Sequence, residues 1–293
     1  MIEYNFNFIS STVFTTIAII GNSLVLIILT SRIFRKNSFF RFMIVATVFD
    51  TLHVLAMWPS NFPDFFKINQ LSISCKLFAY LSIVFGLGSP WMNLLSSIDS
   101  YLSIKFPTKD KFRNQVKYQV LAMITVGFTI LIINVPFILY VDAKTNSTDG
   151  SGCMAMSFTA GIYMNGLNLL MSTIIPFFFI LVSTSLIAYE LIVLKKKRFQ
   201  KRKFQKEKRL VKTLFILNFF YLLTNLPFSI LVWVYGSLKI NFFGTLGYFI
   251  VLCVGMSYSS LPFFIFLMFN NLFRKSIVSL FIKKKTNVSL SLT

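Results

Sequence analysis

CKLFAYLSIVFGLGSPWMNLLSSIDSYLSIKFP, from Cys75 to Pro107, decides how the chain is read. Between Leu77 and Ile104 it carries one charge, Asp99, and it is long enough to cross the roughly 30 Å hydrocarbon core of a bilayer as a helix. Its two ends therefore mark two faces of a membrane. A cysteine stands at one face; Asp99-Ser100-Tyr101, followed by Lys105 and Pro107, stands at the other.

The pattern recurs along the chain. Apart from Asp50 and Asp99, uncharged runs cover Tyr4 to Ser31, Phe42 to Pro63, Leu77 to Ile104, Tyr118 to Val141, Gly150 to Tyr189, Thr213 to Leu238 and Ile240 to Phe273. Seven spanning helices follow, because a helix satisfies its backbone polar groups internally where water cannot. The fifth run is long enough for two spans; with no charged turn dividing it, it reads as a loop end carrying Cys153 followed by one long helix. Residues 1–293 thus read as one all-α membrane domain, with spans at about 8–31, 40–61, 75–103, 118–140, 162–193, 208–235 and 243–268.

Composition agrees: 56% of residues are hydrophobic and 13% charged, against about a quarter charged in soluble domains. The net charge of +20 would suit nucleic acid, but its placement assigns it to topology. All Lys and Arg except Lys67, Lys76, Lys144 and Lys239 lie on one side of the seven spans. The positive-inside rule puts that side in the cytosol, with the N-terminus outside and the C-terminus inside, and excludes nucleic acid as a partner. Met1 to Asn7 lack a basic n-region, so the first span is expected to serve as its own insertion signal.

Within the spans, polar residues stand out. Asp50 is costly at membrane depth and should face the bundle interior, with Asn22 as a partner. His53, three positions on, shares that helix face and reads as a hydrogen-bonded packing residue. Pro90 sits inside the third span and Pro136 near the outer end of the fourth, while Pro176 and Pro227 break backbone hydrogen bonds deep in the bundle and leave hinge points.

Asn146-Ser147-Thr148 is an N-glycosylation acceptor on the side that the charge count makes luminal. Cys75 and Cys153 lie on the same oxidising face and are expected to pair, contributing about 4 kcal/mol on the entropic account. Cys253, inside the seventh span, reads as a packing residue. Two readings compete for the basic run from Lys195 to Lys212: anionic inner-leaflet lipid, which suffices by itself, and a cytosolic partner that uses the ends of the fifth and sixth spans. Past the seventh span, Phe273, Ile277, Leu280 and Phe281 recur at helical spacing while Arg274 and Lys275 point elsewhere; an interfacial amphipathic helix is expected at about 270–281.

Taken together, these features resemble the rhodopsin-like (class A, family 1) G-protein-coupled receptors, over nearly the whole chain. The matching residues are Gly21-Asn22 with Val25 in the first span, Asp50 in the second, Asp99-Ser100-Tyr101 with Pro107 after the third, Pro176 in the fifth and Pro227 in the sixth. The resemblance implies a receptor that binds an extracellular ligand and signals to a heterotrimeric G protein from the plasma membrane. It also implies a sodium ion, and no other cofactor, in a polar core of Asn22, Asp50 and Ser89.

The departures are specific. Ser100 stands where the family has arginine, so Glu207, at the acidic position of the sixth span, lacks its expected partner. Thr224-Asn225-Leu226-Pro227 replaces Cys-Trp-x-Pro, Leu261-Pro262 replaces Asn-Pro, and the fourth span has Val126-Gly127 in the region of its customary tryptophan. The hinge prolines implied are Pro176, Pro227 and Pro262. Amine receptors carry an aspartate where this chain has Ser82, and opsins need a lysine that Ile240 to Phe273 does not contain. Neither an amine nor retinal is expected; a peptide ligand, in the manner of invertebrate peptide receptors, is left, with Ser82, Ile83, Gly86 and Asn225 as pocket candidates.

Two rivals remain. One is an atypical seven-helix receptor that does not couple. The other is a transporter, against which stand the few ionisable residues in the spans and the lack of an internal repeat. No nucleophile and base pair suggests an enzyme.

Overall fold

The computed structural model describes residues 2–60, 72–106, 116–144, 152–196, 201–238, 253–255 and 257–281. The elements are α1 (Ile2–Leu29), α2 (Arg32–Arg35), α3 (Ser38–Ser60), α4 (Ser72–Lys105), α5 (Val116–Ile133), α6 (Val135–Tyr140), β1 (Val141–Lys144), β2 (Gly152–Ala155), α7 (Phe158–Leu169), α8 (Ile175–Lys196), α9 (Lys201–Leu238), α10 (Leu261–Phe269) and α11 (Asn271–Phe281). Six helical stretches are long and apolar enough to span a bilayer: Ile9–Leu29, Ser38–Pro59, Ser72–Lys105, Val116–Tyr140, Thr159–Glu190 and Lys212–Leu231. The seventh, Cys253–Phe269, turns by 98° into α11. The fold is a seven-helix membrane bundle with a short eighth helix.

The apolar composition is spent on two surfaces. Ile124, Phe128, Phe178 and Phe215 are exposed on the outside of the bundle, where hydrocarbon replaces water as solvent. Inside, Val25, Leu29, Phe34, Phe40, Met43, Met92, Leu214, Leu217, Ile265, Phe266 and Phe273 form one core at the basic end. The third span, α4, packs against α3, α5, α8 and α9 and is the axis of the bundle.

Several breaks have local causes. The fourth span divides into α5 and α6 at Asn134, just ahead of Pro136; the side chain of Asn134 bonds back to the Ile130 carbonyl at 2.7 Å. The turn into α11 is capped by Asn270, whose Oδ1 accepts from the backbone N–H groups of Leu272 and Phe273, both at 3.1 Å. Phe273 then anchors α11, fully buried against Phe266 and Phe263.

The loop between the fourth and fifth spans is a β-hairpin, which the charge pattern alone did not announce. β1 and β2 are antiparallel, with Ala143 opposite Cys153. Ser72 at the start of α4 hydrogen-bonds Asp142, and Cys75, Phe137, Val141 and Met164 cluster beneath the hairpin. Cys75 is disulfide-bonded, whereas Cys253 is a free thiol.

Candidate functional site

Three polar layers lie inside this apolar bundle. The first surrounds Asp50, which is buried and hydrogen-bonded to Ser89. Ser89 also meets the hydroxyl of Tyr258 at 2.9 Å, and Asn93 donates to the same hydroxyl at 3.3 Å. Spans two, three and seven are thereby joined. Asn22 is fully buried but makes no hydrogen bond with Asp50; both its amide atoms lack a partner, as do Asp50 Oδ2, Asn93 Oδ1, Ser96 Oγ, Ser259 Oγ and both amide atoms of Asn218. Buried polar atoms left bare cost about 1–3 kcal/mol each, so these sites call for internal water or an ion. Most of them are oxygens, the donor type a hard cation takes.

The second layer joins spans three, five and six. Between α7 and α8, residues Leu170–Ile174 form a π-helical turn, in which Ile175 N–H bonds back to Leu170 O. Pro176, next in line, brings no N–H. The carbonyl of Met171 accepts instead from Trp91 Nε1 at 3.0 Å, and that of Ser172 from the hydroxyl of Tyr221. Asn225 Nδ2 donates to Tyr221 at 2.6 Å and to Thr173 Oγ1 at 3.2 Å; Thr173 meets Ser229 at 3.1 Å. The Tyr221 and Tyr258 rings stack edge to face, 4.6 Å apart, and connect this layer to the first.

The third layer is at the basic end. Asp99 and Ser100 are buried there, and Tyr101 is held by Lys105, which donates to its hydroxyl at 2.7 Å and lies over its ring. Arg41, from α3, is within electrostatic reach of Asp99 and donates to Gln119 Oε1 at 2.6 Å and to the Arg35 carbonyl at 2.7 Å. A guanidinium is thus within electrostatic reach of Asp99, supplied by the second span and not by position 100.

The remaining expected residues fall as follows. Gly86 and the Ser82 carbonyl face the second span: His53 Nδ1 lies 2.8 Å from Ser82 O, and its ring occupies the space a Cβ at Gly86 would need. His53 is therefore the packing residue expected of it. Ile83 lies against the clusters around Cys75 and Leu87. Asn225 is engaged by Tyr221 and Thr173. Pro227 is inside α9 and Pro262 opens α10. Glu207 falls within α9; Asn146, Pro107 and most of the first outer loop lie outside the described residues.

Trp91, Asn93, Tyr221, Tyr258 and Arg41 were not singled out from the sequence. Their signal was there: tyrosine or asparagine inside an apolar span needs a partner, and a proline leaves a carbonyl that needs a donor.

Residues 21–261 match the family described as 7 transmembrane receptor (rhodopsin family). The chain belongs to that family. The match starts at Gly21, the first of the paired residues in the first span, and ends at Leu261, beside Pro262. No individual curated protein matches the chain. As a rhodopsin-family receptor the chain is a multi-pass membrane protein, with an extracellular ligand and a G protein as the family's general partners.

Proposed function

We propose that this receptor sits in the plasma membrane, N-terminus outside, takes a peptide at its outer mouth and signals to a heterotrimeric G protein. One observation carries the peptide reading. The hairpin β1–β2 stands at the Cys75 end of the bundle, and a two-stranded sheet offers unpaired backbone edges to which an extended peptide adds as a further strand. Ser82 at the position of the amine-binding carboxylate supports it.

The bridge from Cys75 is assigned to Cys153: the chain has three cysteines and Cys253 is free. Asn146 is the glycosylation site. The Asp50 core, with Ser89 and the bare oxygens of Asn22 and Asn93, takes a sodium ion, which would supply a fixed positive charge to the Asp50 carboxylate. Anionic lipid covers the basic loop.

Peptide libraries applied to surface-expressed receptor, with G-protein activation as readout, test the reading in the native form and in Ser100→Arg. Activation in the native form supports coupling through the Arg41 arrangement. Activation only in Ser100→Arg favours the second reading, a receptor that binds but does not couple; none in either, despite surface expression and peptide binding, removes the signalling claim.

A further inference from the structure

Proline in a helix leaves a carbonyl without a donor, and at membrane depth that group must be satisfied by something else. In the α register the carbonyl facing residue 176 belongs to Ser172; in the π register it belongs to Met171. The turn Leu170–Ile174 brings both registers together ahead of Pro176. Each carbonyl is taken by a different span, Met171 by Trp91 of the third and Ser172 by Tyr221 of the sixth.

The two attachments are not mechanically equivalent. Trp91 joins spans three and five. Tyr221 lies six positions before Pro227 in α9, on its Lys201 side. Beyond the proline, Ser229 holds Thr173 at 3.1 Å; before it, Asn225 reaches the same Thr173 and fixes Tyr221. A bend at Pro227 can leave the Ser229 contact in place while it draws Tyr221 off Ser172.

We propose that the hydroxyl of Tyr221, seated on the Ser172 carbonyl freed by Pro176, is the latch that restrains the Lys201 half of the sixth span, with Asn225 as its positioning residue. Position 225, where the family resemblance implies tryptophan, carries instead the amide that donates to this hydroxyl at 2.6 Å. Tyr221 also touches Tyr258, so release is sensed by the Asp50 layer through an aromatic contact. The latch deepens the receptor reading, yet it is measurable without ligand or G protein.

Spin labels at Lys117→Cys and Phe215→Cys, both exposed, in a Cys253→Ser background of the full chain in lipid nanodiscs report the distance between the ends of the fourth and sixth spans. Tyr221→Phe keeps the ring and deletes the hydroxyl; it should raise the population of the longer distance roughly tenfold, the factor for one hydrogen bond of ordinary strength. Asn225→Ala should raise it less, and Trp91→Phe should leave it as in the parent. Unchanged distances in both Tyr221→Phe and Asn225→Ala overturn the latch, as does an equal shift in Trp91→Phe, which would indicate general loosening. Should Tyr221→Phe fail to fold, Asn225→Ala decides alone. A shift in a receptor that never activates a G protein keeps the latch and removes the signalling reading.

Discussion

Arg41 donates from Nε to Oε1 of Gln119 across 2.6 Å, tying the second span to the fourth beneath the third. Gln119 in turn hydrogen-bonds Ser38, and Arg41 also holds the Arg35 carbonyl at the turn between the first and second spans. Three helical segments, α2, α3 and α5, therefore meet at one guanidinium. Replacing Arg41 by Ala removes the donor 2.6 Å from the buried Gln119 Oε1 and a positive charge within electrostatic reach of Asp99. We expect a loss of about 1–3 kcal/mol, read as a lower Tm in detergent. Arg41→Lys should recover little of it, because an ammonium cannot reproduce the forked geometry. A Tm for Arg41→Ala equal to that of the parent would show that the tie is dispensable.

Gly88 and Gly127 should respond oppositely to the same substitution. A Cβ at Gly88 would meet the Phe49 ring closer than real Cβ atoms approach, whereas one at Gly127 meets nothing within 4 Å. Gly127 instead borders an apolar cavity of about 170 Å³ lined by Phe49, Val84, Phe85, Ile130 and Leu131. Gly88→Ala should cost about 1–3 kcal/mol through overpacking. Gly127→Ala should be neutral or stabilising by up to about 1 kcal/mol from helix propensity. Thermal unfolding of the two variants side by side decides; equal Tm values would contradict the packing seen here.

Sodium should stabilise the receptor through Asp50. At a concentration about ten times its Kd, a ligand of the folded state adds about 1.4 kcal/mol. Tm measured in sodium chloride should therefore exceed that in choline chloride, and the difference should vanish in Asp50→Asn. A sodium effect that persists in Asp50→Asn would place the ion elsewhere.

The cysteines should separate cleanly. Removing the bridge with Cys75→Ala should cost about 2–5 kcal/mol and reduce surface expression. Cys253→Ser, at a free thiol hydrogen-bonded with Ser10, should express as the parent does. Thiol labelling of the unfolded, non-reduced protein should modify one cysteine; two or more labelled positions would argue against a bridge.

The eighth helix depends on two residues. Asn270→Ala removes the cap of α11 and should cost about 1 kcal/mol. Phe273→Ala empties a fully buried site shared with Phe263 and Phe266 and should cost about 3–5 kcal/mol. Proteolysis between the seventh span and α11 reads both, and Phe273→Ala should be cut faster; equal rates would mean that burial of Phe273 does not anchor the helix.

Much of the fold was legible in the chain because a bilayer imposes a one-dimensional rule. Any run such as Leu77 to Ile104 must become a helix, since no other structure satisfies its backbone in hydrocarbon. The interfacial helix was legible for a related reason, as Phe273 and Ile277 recur at helical spacing. The hairpin at Cys153 was not, because its strands are four residues each and their pairing depends on the anchored ends of spans three, four and five.

The site divides in the same way. Sequence alone determined that Asp50 must turn inward, that His53 packs, that Pro176 and Pro227 interrupt their helices, and that Ser100 cannot supply a guanidinium. Only the tertiary structure decided who answers those vacancies: Ser89 and Tyr258 around Asp50, Arg41 within electrostatic reach of Asp99, and Trp91 and Tyr221 on the carbonyls ahead of Pro176. The reason is physical. A chain specifies locally which polar group is left without a partner, but the partner comes from a helix far away in sequence, and its identity is set by how the helices pack.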